Sequence, residues 1–383
     1  MGRSGTMVTN LSGELAYNSF RPAPLPPNPP ITLDDTSLKL LLQATRHIQE
    51  LNAVAQYVPD AKLFASLYVR KEALISSQIE GTQCTLDDLL DPDVDRNTDL
   101  DVEEAVASVR ALWHGLELLE TMPLCNRFLR DVHEVLLSST RGSERNPGEF
   151  RRSQNWIGAA GCTLKNARYV PPNLDDMNEA LASLERYLNE TPEIDALVSA
   201  ALIHYQFETI HPFLDGNGRI GRMLIQFYLI SQGVLASPML SVSYFLKRNQ
   251  VEYYDRMSDV RQKGTYEQWV RFFLEALDAA AVDGIATAEA LSQVHEENRA
   301  LLPPPRRAQD ATHRVFDHLG AHPIISINRT AEELGLSYNT VANAVKKLMG
   351  LGILRETTNA ARNRVFAYES YLAVLRPGSE LVD

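Results

Sequence analysis

Apolar side chains recur at three- and four-residue steps along most of this chain, the period of an α-helix with one buried face. The spacing predicts helices from about Thr36 to Tyr57, Asp60 to Glu80, Asp101 to Glu120 and Arg127 to Ser138. Gly81, just past the second, is a good C′ residue because it takes left-handed backbone without a Cβ penalty. Leu197, Ala201, His204 and Phe207 mark the face of a helix from Ile194 to Ile210, and another follows from Arg219 to Ser231. One more starts near Asn249. An Ala-rich helical stretch covers Glu267 to Asn298, with a bend or break expected at Gly284, since glycine disfavours helix interiors.

The helical period fails in four places. Residues 1–30 end in Pro-rich text, which predicts an extended arm on the surface or on a partner. From Asn146 to Pro172, two short β-like runs flank Gly158-Ala-Ala-Gly161, the pattern of a hairpin. Leu302-Pro303-Pro304-Pro305 reads as a linker. Beyond it the chain reads as helix (Thr312 to Leu319), helix, Gly-containing turn and helix (Tyr338 to Met349). Two strands follow, around Gly352–Glu356 and Arg364–Tyr368.

Composition narrows the class. No apolar run approaches 18 residues, so no membrane-spanning helix is expected. The N-terminus lacks the apolar core of a secretory signal. Cys84, Cys125 and Cys162 are odd in number and lack metal spacing, as expected of reduced thiols in the cytoplasm. A net charge of −12 argues against a chain devoted as a whole to nucleic acid. Much of the acidity falls in Asp87 to Glu104, nine acidic residues around one arginine, which reads as a solvated loop and helix start. From Arg306 to Val365 the balance reverses, with nine Lys/Arg against five Asp/Glu.

The densest chemistry lies between the two central helices, in His211-Pro-Phe-Leu-Asp-Gly-Asn-Gly-Arg-Ile-Gly-Arg222. A buried helix has no use for this run of glycines, charges and an asparagine. The turn opens a helix, whose first N–H groups are unpaired and whose dipole favours an anion. Gly216 and Gly218 let the backbone approach a phosphate closely. Arg219 and Arg222, three apart, offer guanidinium forks on one helix face. Asp215 is placed to hold Mg2+ at the lip of the cradle. His211 is placed to take a proton from a hydroxyl. The absence of GKS or GKT excludes a Walker A loop.

This stretch resembles the Fic family signature HPFx(D/E)GNGRxxR and matches it at every fixed position. The resemblance implies a mainly α fold and transfer of AMP from ATP to a Ser, Thr or Tyr hydroxyl of a target protein. It implies His211 as general base and Asp215 as Mg2+ ligand. Gly216, Asn217, Gly218 and Gly221, with Arg219 and Arg222, would hold the triphosphate. The kinase-like branch of the family carries Lys where this chain has Gly218, which favours nucleotidyl over phosphoryl transfer. Ser76-Ser-Gln-Ile-Glu80-Gly81 fits the family's inhibitory pattern (S/T)xxxE(G/N), in which the Glu80 carboxylate would occupy Arg222. The segment around residue 158 resembles the family's flap, with Ile157, Gly158, Tyr169 and Val170 as contacts for an extended target segment. Tyr253 or Tyr254 resembles the residue near the adenine, with core packing an equal alternative.

The expected architecture is a mainly α, Fic-type helical core with a small β-hairpin flap, plus a C-terminal winged helix-turn-helix domain. The boundaries are a Pro-rich arm (1–30), a helical region (31–120) with the inhibitory helix (60–81), the catalytic core (121–275), a helix and Pro linker (276–305) and the winged domain (306–383). The last offers Tyr338, Asn339, Thr340, Asn343, Lys346 and Lys347 to DNA or to a protein. A DNA-binding regulator is therefore one alternative function. Removal of AMP, with Glu80 orienting water, is another. The arm and the long helical stretch suggest a homodimer.

Overall fold

The computed structural model describes residues 2–57, 61–138, 144–159, 161–190, 194–304, 310–358 and 364–381. Asp60 at the expected start of the inhibitory helix, Ala160 in the flap turn, Pro305 of the linker, Arg306 at the domain boundary and the end of the last domain at Asp383 lie outside these residues.

Two buried helices organise the molecule. In α7 (Ala196–Ile210) every residue from Leu197 to Ile210 is buried, as expected of a helix apolar on all sides. Asp195 caps it by accepting from the Leu197 N–H at 2.8 Å. It packs on α8 (Asn217–Ser231), and the turn between them carries the signature. Around this pair lie α1 (Asp35–Tyr57), α2 (Ala61–Ile79), α3 (Leu86–Leu90), α4 (Leu100–Leu118), α5 (Asn126–Leu137) and α6 (Leu174–Asn189). The same surround includes α9 (Val242–Arg248), which packs on α2, α10 (Gln250–Lys263), and α11 (Tyr266–Ala300), which packs along α1. The fold is mainly helical, as the periodicity predicts. Helices α3, α6 and α9 are additions to the sequence-based expectation.

Three expectations change. The first concerns the N-terminal arm. Residues 5–22 form an antiparallel hairpin, β1 (Gly5–Asn10) with β2 (Tyr17–Pro22), docked on the same chain. The Phe20 N–H donates to the Val170 carbonyl at 3.0 Å, and Arg21 pairs with Asp176 at 2.6 Å. The second is Gly284, where α11 runs on unbroken. A Cβ there would lie 2.9 Å from Leu51 Cδ1, so the glycine admits α1 rather than ending the helix. The third is the acidic stretch. Part of it folds as α3, which buries Leu86, Leu89 and Leu90 behind a Thr85–Asp88 capping box, while Asp99 caps α4.

The C-terminal unit holds α12 (Ala311–Leu319), β3 (Ile324–Ser326), α13 (Ile327–Leu334), α14 (Tyr338–Gly350), β4 (Arg355–Glu356), β5 (Val365–Ala367) and α15 (Glu369–Leu375). Its antiparallel sheet has the order β3-β5-β4. Gly335, in the left-handed region at φ 61°, makes the turn between α13 and α14. Arg329 of α13 reaches the Pro92 carbonyl and Asp95, joining this unit to the acidic stretch. His318, His322 and Glu333 bring their ligand atoms within 4.8 Å of one another. Arg329 already pairs with Glu333 at 3.0 Å, and Arg70 and Arg329 both act on His322, so arginine supplies the positive charge there. Among the described residues no helix is long and apolar enough to cross a membrane.

Candidate active site

His211 ends α7 in the left-handed region, at φ 50° and ψ 59°. The conformation is unusual for a residue with a Cβ, and the surroundings hold it. Its N–H bonds the Phe207 carbonyl at 2.9 Å. Its own carbonyl accepts from Arg151 Nε at 3.1 Å. Arg151 is fully buried, donates its N–H to the Pro212 carbonyl at 2.8 Å, and ties the loop to the Pro172 carbonyl as well. The ring atom Nδ1 of His211 is buried without a partner among the described residues. Burial pulls the His211 pKa down to about 4, against the opposite pull of Glu80, so the ring is neutral at pH 7.

The turn is built by side chains rather than by glycine alone. Asn217 accepts from the Phe213 N–H at 2.8 Å and donates to its carbonyl at 2.9 Å. Its amide therefore staples the loop and is not free to hold phosphate. His133 stacks on Phe213 at 3.7 Å, accepts at Nδ1 from the Gly148 N–H, and donates from Nε2 to the Asp215 carbonyl at 3.1 Å. Gly216 sits at φ 74° as the N-cap of α8. The N–H groups of Asn217, Gly218 and Arg219 begin this helix and have no intrahelical partner. Asp215 is half-exposed, with Oδ1 fixed by the Gly216 N–H at 2.6 Å.

The two arginines part company. Arg222 is fully buried, and its Nη2 contacts Glu80 Oε1 at 2.5 Å. Its Nε donates to Ser76 Oγ at 2.8 Å and its Nη2 to the Ser76 carbonyl at 2.9 Å. Burial opposes this charge most strongly, but Glu80, with Tyr253, Tyr254 and Glu208 added to it, raises the pKa. The Glu80 carboxylate also lies over the cradle, because a Cβ on Gly218 would meet Glu80 Oε1 at 2.1 Å. Gly81 follows at φ +100° in open space. Arg219, expected on the triphosphate, is buried and paired with Glu104 of α4 at 2.6 Å. It fastens α8 to α4.

Other expected residues take varied places. A Cβ on Gly221 would meet Glu208 Oε1 at 2.3 Å, so this glycine serves helix packing. Tyr253 is buried, with its hydroxyl 2.8 Å from His204 Nε2, a core position rather than a face for adenine. Tyr254 is half-buried, and Glu80 and Arg222 are among the charges acting on it, so it keeps the candidate role. In the flap, Ile157 and Tyr169 form one antiparallel bridge instead of a full hairpin. Ile157 is exposed, but Tyr169 turns inward, with its hydroxyl on the Thr209 carbonyl at 2.6 Å and Arg261 over its ring. A Cβ on Gly158 would meet Cys162 Sγ at 2.5 Å. The Val170 carbonyl is taken by Phe20 of β2.

Sequence reasoning missed His133, Arg151, Glu104 and Glu208. Glu208 is buried beside Arg222 and Glu80, and burial raises its carboxyl to about 7. Its place one turn before His211, as the one carboxylate on a largely apolar helix, was the available signal.

Residues 38–117 match the Fic/DOC family N-terminal model, and residues 123–229 match the Fic/DOC family model. The chain carries the paired Fic/DOC domains. The Fic signature turn and the Ser76–Gly81 segment both fall inside the matched spans. The protein adenylyltransferase Fic of Aedes aegypti is 32% identical over 133 residues, 34% of this chain and 23% of that protein. Its counterpart in Drosophila ananassae is 28% identical over 163 residues, 42% of this chain and 29% of that protein. The chain thus matches less than a third of the length of these relatives. A crystal structure of a Fic family protein from Desulfovibrio desulfuricans G20 superposes with a TM-score of 0.58 at 22% identity, covering 88% of this chain and 97% of that one. Fic-1 of C. elegans superposes at 0.51 and 19%, covering 66% of this chain and 73% of that one. These two likenesses show the Fic fold.

Proposed function

We propose that the chain is a self-inhibited protein adenylyltransferase, moving AMP from ATP to a Ser, Thr or Tyr hydroxyl of a target protein. The observation that carries this reading is the Glu80 carboxylate, which sits on Arg222 and over Gly218, in the cradle that a phosphate needs. A carboxylate there stands in for the γ-phosphate and keeps a triphosphate from its productive seat.

With Glu80 withdrawn, each residue has a task. Neutral His211 accepts the proton of the target hydroxyl. The hydroxyl oxygen bonds to the α-phosphorus, the bond from that phosphorus to the oxygen bridging toward the β-phosphate breaks, and pyrophosphate leaves. The N–H groups opening α8 hold the phosphate charge, and Arg222 binds the γ-phosphate end. Asp215, fixed by Gly216 at the cradle's lip, fits Mg2+, which takes one or two carboxylates with phosphate oxygens and would neutralise charge on the leaving group. The edge at Ile157 and Gly158 would take the target segment as an added strand. In the background of Glu80→Gly, His211→Ala should bind ATP yet transfer no AMP. Transfer by that double variant would remove His211 from the mechanism.

AMP removal is the second reading, in which the half-exposed Glu80 carboxylate, placed over the cradle, would orient the attacking water. For the C-terminal unit the reading is a winged helix that binds DNA or a protein. Its support is α14, which exposes Tyr338, Asn339, Asn343, Lys346 and Lys347. A gel shift at varied salt tests the DNA arm. The three free thiols are in keeping with a cytoplasmic site of action.

A further inference from the structure

The geometry points to the segment after α15, residues 377–381, as a back-stop that presses the inhibitory Glu80 onto Arg222, with Gln78 and Lys247 as positioning residues. The inference rests on the reading of Glu80 given above.

Ser76 and Glu80 are one helical turn apart and share the face of α2 that meets Arg222. Gln78 is displaced by about 200° from Ser76 around the helix, on the opposite face. That face is engaged as fully as the first. Gln78 Nε2 donates to the Cys84 carbonyl at 2.8 Å and to the Ser379 carbonyl at 2.9 Å. Gln78 Oε1 accepts from Lys247 Nζ at 2.7 Å, and the same ammonium reaches the Glu380 carbonyl at 2.6 Å. One amide thus joins the end of α2 to α9 and to the tail.

The tail is seated, not draped. Ser379 is 4% exposed, and its N–H and hydroxyl both bond the Arg376 carbonyl. Gly378 lies so close to Tyr244 that a Cβ would meet the ring at 2.6 Å. Arg376 forks onto Asp87 at 2.9 and 2.7 Å, fixing the tail's root beside α3.

In the release proposed here, the end of α2 moves away from α8 and draws Glu80 off Arg222. That movement carries Gln78 into the space held by Ser379 and Lys247. The tail therefore opposes the displacement that ATP requires, without touching ATP or the target. It also joins the C-terminal unit to the active site, because α15 leads directly into it.

Two variants of the full chain test this: a stop codon after Arg376, and Lys247→Met with the tail kept. Hydrogen exchange at the amides of Ser77 to Thr82 should quicken in both. AMP incorporation should rise about fivefold, the scale of one or two hydrogen bonds. The decisive readout is the same pair of changes on Glu80→Gly, where the rise should vanish, because a tail that acts through Glu80 has nothing left to hold. An equal rise with and without Glu80, or unchanged exchange in both variants, overturns the inference. If Glu80→Gly itself transfers no AMP, the adenylyltransferase reading is at fault, and the exchange data alone decide the tail.

Discussion

Replacing Glu80 by glycine is the sharpest perturbation of the site. It removes one carboxylate and leaves His211, Asp215 and the α8 N-terminus in place. With the carboxylate goes a charge-assisted hydrogen bond at 2.5 Å, between an arginine side chain that is 1% exposed and a glutamate side chain that is 37% exposed. Hydrogen bonds of this kind contribute about 1.5–3 kcal/mol, and the solvent at Glu80 puts this one near the lower end. About 1.5 kcal/mol corresponds to roughly a tenfold change in the population able to seat a triphosphate productively. Arg222 keeps Ser76 Oγ and the Ser76 carbonyl, so the fold does not lose its buried cation. AMP incorporation, into the chain or into lysate proteins, is read from gels after incubation with ATP labelled at the α-phosphorus. Glu80→Gly should exceed the parent by a factor of ten or more, and adding Arg222→Ala should return it to the parent level. Equal or lower incorporation by Glu80→Gly, with ATP binding intact, would refute the reasoning. If the variant instead loses hydrolysis of a pre-adenylylated target, AMP removal becomes the leading reading.

Asp215→Ala should abolish the stimulation of transfer by Mg2+, and a variant that still responds fully to Mg2+ would exclude Asp215 as a ligand. Arg219→Ala should act on stability instead of chemistry, because it strands Glu104. A thermal melt should fall by several degrees while Arg222 still confers ATP binding, and Glu104→Ala should add little to the double variant. Burial lowers the pKa of His133, His204 and His211 to about 4, 3 and 4. Between their folded and unfolded values the unfolded chain binds more protons, so stability falls as pH drops from about 6.5 toward 4, by about 1.4 kcal/mol per unit for each. Glu208, raised to about 7, works in the opposite direction between about 4.5 and 7 and offsets one of the three. A melting temperature that rises on acidification through this window would contradict the buried neutral histidines. A homodimer would give twice the chain mass in light scattering at micromolar concentration, and the monomer mass alone rejects it.

The signature turn was legible because its parts are adjacent in sequence and each departs from what a buried helix tolerates. Glu80 was legible only through the resemblance of Ser76–Gly81 to the family's inhibitory pattern, since Ser and Glu four apart are common on helices. What stayed hidden depends on partners far along the chain. Arg219 looks like a phosphate ligand until Glu104, 2.6 Å away, is seen to hold it. Tyr253 looks like a stacking residue until His204 takes its hydroxyl. Gly284 reads as a helix breaker because the close approach of Leu51 leaves no local mark. The N-terminal hairpin was missed for a related reason. β1 has no fully buried position, and the Pro-rich text after the hairpin suggested an extended arm.

The chemistry is tested most directly by where the label goes. Glu80→Gly is incubated with Mg2+ and ATP carrying a label on either the α- or the γ-phosphorus, and modified protein and released product are analysed by mass. Nucleotidyl transfer leaves the α-label and the adenosine on the protein and releases the γ-label in pyrophosphate. Protein that retains the γ-label, with ADP as product, would mean that the Gly218 cradle supports phosphoryl transfer and that the assignment to AMP transfer is wrong.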